Sequence, residues 1–184
     1  MKRTLFVILI SAVHLINLLS QVVSYEKGQI VTKNNDTISA LIELTPTYQS
    51  VVNYKANSDS KIQSIKIKEI NFLTTPYNLF RNIAVKNKEY LFRVVVTNKV
   101  SLFEYSKKSS SSRPYYGTPM IYTPTIIIFA VKANGKMVII KNKKDLLQIS
   151  VLLDKCPDAK ALVDDKRFKF ENLKSVIDKL NNCN

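Results

Sequence analysis

Serines are plentiful in this chain of 184 residues, but a base to activate one is scarce. The sole histidine, His14, lies inside an apolar N-terminal run. If that run is removed on export, the mature chain lacks both the commonest general base and the commonest metal ligand. The pattern Gly-x-Ser-x-Gly does not occur. A Ser-Lys dyad needs no histidine, and sequence proximity offers Ser106-Lys107 and Ser150 with Lys155. In a chain rich in both residues, such pairs arise by chance. Glu43 and Glu104 fall on separate strand patterns and would have to face each other to cleave a glycosidic bond; edge charges are the default. Asp164-Asp165 is the one adjacent carboxylate pair. It lacks the spaced oxygen ligands of a calcium loop and reads as a solvated turn. Three glycines leave no loop to cradle a phosphate. No catalytic residue, metal ligand or cofactor is assigned.

Contact chemistry is better represented. Residues 106–119 hold Lys107-Lys108, four consecutive serines, Arg113-Pro114, Tyr115-Tyr116 and Gly117, the composition of an exposed loop. Tyr115 and Tyr116 offer large contact area at low entropic cost. Beside Lys107, Lys108 and Arg113 they form a candidate binding loop. The alternative is that the two tyrosines tuck the loop back onto the sheet.

The formal charge is +14. Lys2 and Arg3 precede the apolar run and no acid does, so the mature chain keeps about +12. Such a charge attracts polyanions. The basic residues are scattered, however, so most of them read as solvating surface, and specific nucleic-acid binding is not expected.

The N-terminus has the parts of a secretory signal: basic Met1-Lys2-Arg3, the apolar stretch Leu5 to Leu19, and Val22-Val23-Ser24 before a cleavage point at Tyr25. A membrane anchor is the competing reading, weakened by His14, Asn17, Ser20 and Gln21. No other long apolar run follows, so no membrane span is expected after removal. In an exported protein, Cys156 and Cys183 favour a disulfide, not a redox or metal site, since no Cys-x-x-Cys or neighbouring histidine is present. Their separation of 27 residues assigns the bridge about 3–4 kcal/mol on the chain-entropy model.

The elements that must position these groups are mostly strands. Lys27 to Thr32, Thr37 to Leu44, Ser50 to Lys55 and Ile62 to Ile70 alternate apolar and polar residues. In the last of these, Ile65 and Ile67 point in while Lys66 and Lys68 point out. Thr45-Pro46-Thr47 ends the second strand. Asn71 to Asn87 fits a turn with either a short helix or an edge strand. Tyr90 to Tyr105 reads as a central hairpin with a tight turn at Asn98-Lys99, Tyr90, Phe92, Val94 and Val96 sharing one face. Thr125 to Val131 is a β-branched run expected to be buried on both faces. Asn134-Gly135 suits a type I′ turn. From Asn142 the period becomes helical: Asn142 caps, Asp145 follows in the first turn, Pro157 opens a second helix through Asp164, and Phe170 to Leu180 forms a third.

Gly28-Gln29-Ile30-Val31-Thr32, Asn35-Asp36-Thr37-Ile38, Val95 to Tyr105, Asn134-Gly135-Lys136, Leu153-Asp154-Lys155-Cys156-Pro157 and Asn182-Cys183 together resemble a family of exported β-rich proteins of Bacteroidota with a helical C-terminal segment. The chain departs from that pattern at Gln29 and at Asn98-Lys99. The resemblance implies an exported β-rich domain with a helical end and carries over no catalytic residue.

The expectation is an α+β protein: residues 1–24 as signal, 25–141 as an antiparallel curled sheet or open barrel, and 142–184 as two to three short helices on the same core. It is read as a non-enzymatic module of the cell surface or periplasm. Its partners would be a protein or the envelope, or a polyanionic glycan met by the 106–119 loop and a basic face. N-terminal sequencing of the protein recovered after export is expected to begin at Tyr25; a start at Met1 would refute the signal.

Overall fold

A computed structural model describes residues 24–43, 50–108 and 125–183, the side chains of residues 107, 108 and 125 excepted. Ten strands form one antiparallel sheet: β1 (Tyr25–Thr32), β2 (Thr37–Glu43), β3 (Val51–Lys55), β4 (Gln63–Lys66), β5 (Ile70–Thr74), β6 (Leu79–Val85), β7 (Lys88–Val96), β8 (Val100–Lys108), β9 (Thr125–Ala133) and β10 (Lys136–Ile140). Three helices follow, α1 (Ser150–Asp154), α2 (Pro157–Asp164) and α3 (Leu173–Asn182). The sheet is open, in the order β10-β9-β8-β7-β6-β5-β1-β2-β3-β4. It is therefore the α+β architecture expected, with the open form of the sheet. Residues 1–23 of the expected signal, the Thr45-Pro46-Thr47 stop and most of the 106–119 loop lie outside the described residues. Among the described residues no helix is long and apolar enough to cross a membrane.

Local rules account for many joints. Asn134 and Gly135 both take positive φ, 50° and 76°, as a type I′ turn requires. Asn142 accepts from the Lys144 N–H, and Asp145 accepts from the Asn142 N–H, closing a capping box on a 3-10 turn over Lys143–Ile149. Leu173, Val176, Ile177 and Leu180 recur at helical spacing and are all buried. They pack on Val100, Leu102, Phe129, Val131 and Ile140, covering one face of β8–β10.

Three expectations are corrected. Ile62 to Ile70 is not one strand: a 3-10 turn at Ile67–Glu69 separates β4 from β5. It buries Ile67 and leaves Lys66 and Lys68 exposed. The β7–β8 connection is a three-residue loop, Thr97-Asn98-Lys99, and Asn98 has no positive φ. A bulge between Val94 and Val96 takes up the extra residue, so the loop needs no left-handed position. The run Thr125 to Val131 is buried on both faces only at Phe129-Ala130-Val131, while Ile126 is 49% exposed. The undecided stretch Asn71 to Asn87 contains the end of β5, a turn and all of β6.

The two parts of the sheet, β1–β4 and β5–β10, meet where β1 pairs with β5. Two local features hold that seam. Asn82 on β6 donates through Nδ2 to the carbonyls of Ile67 (2.8 Å) and Ile70 (2.7 Å) and to Glu89 Oε2 (2.7 Å). Lys33 Nζ then binds the same carboxylate at 2.8 and 2.9 Å. Gly28 on β1 lies so close to β5 that an added Cβ would meet the Thr74 carbonyl oxygen at 2.2 Å and Ile42 Cδ1 at 2.7 Å. The C-terminal end is tied as well. Asn181 exchanges two hydrogen bonds with the Val100 backbone, at 2.7 and 2.8 Å. Cys156 and Cys183 stand at disulfide distance, Cα atoms 5.8 Å apart, linking the start of α2 to the end of α3.

Gly28→Ala is expected to cost about 3 kcal/mol, the upper end for overpacking, because the clash is with backbone; urea denaturation checks it. The Lys33 hydrogen bond, with Asn82 adding to it, lowers the Glu89 carboxyl from its ordinary 4.5 against the opposing effect of burial. A depressed carboxyl contributes stability above the unfolded-state value and loses it as pH falls through the folded one. Denaturation midpoints of the native protein should therefore decline below pH 4.5. Glu89→Gln should be less stable near neutrality and show a shallower decline in that acid window.

Candidate functional site

Period-2 alternation sends Tyr90, Phe92 and Val94 of β7 to the face opposite the helices. Register then decides what joins them. Phe92 lies opposite Arg81 and Tyr90 opposite Ile83 on β6. Phe103 lies opposite Val94 on β7 and Ala130 on β9; Tyr105 lies opposite Ile128. The result is a separate apolar cluster built on Ile83, Phe92, Phe103, Tyr105 and Ala130. Its aromatic rings interlock. Tyr105 meets Tyr90 edge-on with centroids 5.0 Å apart, and its centroid is 5.5 Å from that of Phe92.

At the end of the sheet where β6 turns into β7, this cluster opens into a cavity of about 470 Å³. That size falls within the range of small-molecule sites, about 300–1,000 Å³. Val85, Tyr90, Phe92, Tyr105, Ile126 and Ile128 form its apolar wall, with Lys86, Asn87, Lys88 and Lys141 around them. The turn Lys86-Asn87 is tight, with Lys86 at φ 57°. Lys86 and Lys88 stand at the β6–β7 end of the lining, and Lys141 follows β10 across from them. All three lysines are exposed. Their ammonium groups form no ion pair among the described residues, and the Lys141 backbone N–H donates to Asp145 Oδ2 at 2.8 Å.

Tyr105 is only 4% exposed. Burial, with Tyr90 beside it, raises its phenol above the ordinary 10.0, so the hydroxyl stays protonated and able to donate. Neither the Tyr90 nor the Tyr105 hydroxyl has a hydrogen-bond partner among the described residues. The one fully buried side-chain oxygen without a partner there is Thr75 Oγ1, so the Tyr105 hydroxyl reaches open space in the cavity.

The residues singled out in the sequence are distributed elsewhere. Cys156 and Cys183 come together. Lys107 and Lys108 end β8, but their side chains, and all of Arg113, Tyr115 and Tyr116, lie outside the described residues. Glu43 on β2 accepts from Asn53, and Glu104 on β8 pairs with Arg93 at 3.0 Å. The strands β1, β5, β6 and β7 stand between them in sheet order, so the two carboxylates do not form a pair. Ser106 and Lys107 are successive residues of β8, the Lys107 side chain lying outside the description. Ser150 begins α1 and Lys155 follows its end. Asp165 is held by the Arg167 backbone and guanidinium, which lower its carboxyl. No cluster of three metal-ligating side chains occurs among the described residues.

The cavity was not read from the sequence. The alternation of Tyr90, Phe92 and Val94 is visible there, but Tyr105, Ile128 and Lys141 join them only through the register of four strand pairs. The near-adjacent Lys86 and Lys88 were the available signal, since a charged tight turn beside an aromatic strand places cations at a cavity rim. Comparison with protein-family models, curated proteins and solved structures finds no match to this chain.

Proposed function

We propose that this is an exported, non-enzymatic binding module, acting in the periplasm or at the cell surface through contacts with an envelope component. The observation that carries the reading is the chemistry of the cavity on the open face of the sheet. Its lining offers apolar surface, two phenols, an amide and three amines, and no carboxylate, thiol or imidazole. Such a set holds and orients a molecule; it supplies no general base near neutrality. Export is supported by the signal-like N-terminus, by the cysteine pair at disulfide distance and by the resemblance to exported β-rich proteins.

A second reading is a binder of polyanionic glycans, favoured by the high positive charge and by the three lysines whose ammonium groups form no ion pair among the described residues. The apolar floor between those lysines favours the first, because a glycan track needs polar groups along its length. Nile red, a neutral dye that brightens in apolar surroundings, tests the cavity directly. The intact protein is expected to bind it, and Ile126→Asp, at a half-exposed wall position, to weaken binding about ten-fold. Absence of dye binding, together with salt-dependent retention on heparin, would transfer support to the glycan reading.

A further inference from the structure

Resting on that cavity as a binding site, we infer that its ligand is a small, rigid aromatic compound with an anionic group at each of two opposite ends. The placement of the cations carries this. Lys88, Tyr90 and Phe92 alternate along β7 and share the open face. Tyr105 on β8 lies opposite Ile128 on β9. Ile140, the last residue of β10, lies opposite Phe129, so Lys141 comes next in line beside Ile128. In sheet order the floor on β7, β8 and β9 thus has Lys86 and Lys88 on one flank and Lys141 on the other. β7 and β10 are three spacings apart, about 14 Å. Lys88 is also set back four residues, about 13 Å, along β7 from Phe92, whose ring meets that of Tyr105. One carboxylate meeting both flanks would have to draw both lysine stems across the floor and cover it. Two anionic groups leave the floor free for the body between them.

The floor sets the nature of that body. Only three strands supply its apolar wall, which is therefore about 10 Å wide from β7 to β9. That is a compact surface, not a groove for an extended chain. Tyr90, Phe92 and Tyr105 present rings in edge-on and tilted contact, with centroids 5.0 and 5.5 Å apart. A planar ring adds stacking and edge contacts to such a surface that an aliphatic body of equal area lacks. The volume of about 470 Å³ holds a two-ring body. The charges agree with an anion at either end. The ammonium groups of all three lysines form no ion pair among the described residues, and the lining holds no carboxylate to repel one.

Displacement of Nile red from the intact protein tests this, with biphenyl carrying a carboxylate at both para ends, at one para end, or a neutral hydroxymethyl group there instead, and with decanedioate as a flexible diacid. The biphenyl diacid is expected to bind at least about ten-fold more tightly than the monoacid, and more tightly than decanedioate. Lys141→Gln, and separately the pair Lys86→Gln/Lys88→Gln, all at exposed positions, should each bring the diacid down to the affinity of the monoacid. The monoacid can turn its one group to the flank that remains, so it should change by less than about two-fold. With all three lysines replaced, the diacid should bind no more tightly than the alcohol. Equal affinity for diacid and monoacid, decanedioate binding as tightly as the biphenyl diacid, or a monoacid that loses as much as the diacid with Lys141→Gln would each overturn the inference. Nile red binding would persist in all three cases, so the cavity reading would stand while its ligand assignment fell. Failure of the dye itself to bind would remove both.

Discussion

One side-chain amide holds the two parts of the sheet in a single frame. The 3-10 turn at Ile67–Glu69 reverses nothing; it offsets β5 from β4 so that β5 pairs with β1 and β6 while β4 is left at the far edge. The Ile67 carbonyl accepts from the Ile70 N–H within the turn, and Asn82 Nδ2 donates to it and to the Ile70 carbonyl. The same nitrogen reaches Glu89, which in turn is fixed by Lys33 from the β1–β2 turn. A partly buried carbonyl without a donor costs about 1–3 kcal/mol. An apolar residue at Asn82 would leave the Ile70 carbonyl and the Glu89 carboxylate without this donor. Beside the β1–β5 ladder and the close approach at Gly28, the seam thus has one polar residue between the Ile30–Ile42–Leu73 core and the rest of the sheet.

Once the seam is set, the division of the remaining strands into two faces follows from pleating alone. Leu102, Phe129, Val131 and Ile140 point to the helices; Phe103, Tyr105, Ile128 and Ala130 point away. The helical segment is fastened to its face by independent means. Asn181 satisfies the Val100 N–H and carbonyl where β8 begins, and the cysteine pair closes α2 onto the end of α3. With one face given to the helices, the aromatic residues of the other are free to form a site.

How much of this the sequence discloses depends on range. The alternation of Tyr90, Phe92 and Val94, the Asn134-Gly135 turn, the Asn142–Asp145 cap and the stripe Leu173, Val176, Ile177 and Leu180 are set by neighbours within a few residues, and they are legible; Val96, expected on the face of Tyr90, is moved by the bulge to the helix-side core. The order of strands is not, because β1 against β5 pairs residues about forty positions apart, and no local preference selects that partner. The break at Ile67 escapes for a related reason. Ile65 and Ile67 keep the period of a strand through a turn that buries Ile67 just as a strand would. Asn98 misleads in the opposite direction: its tolerance of left-handed φ suits a two-residue turn, but the bulge at Val94–Val96 supplies the needed twist one strand earlier.

The same long-range origin explains the character of the cavity. Its floor is made of side chains fixed on hydrogen-bonded central strands, so their positions are set by ladders and not by loops. Its charges stand on the Lys86-Asn87 turn and just past β10, where solvation is cheap and a long side chain can swing to meet a ligand. Floor and charges come from elements far apart in sequence, so neither is legible from any single stretch of the chain.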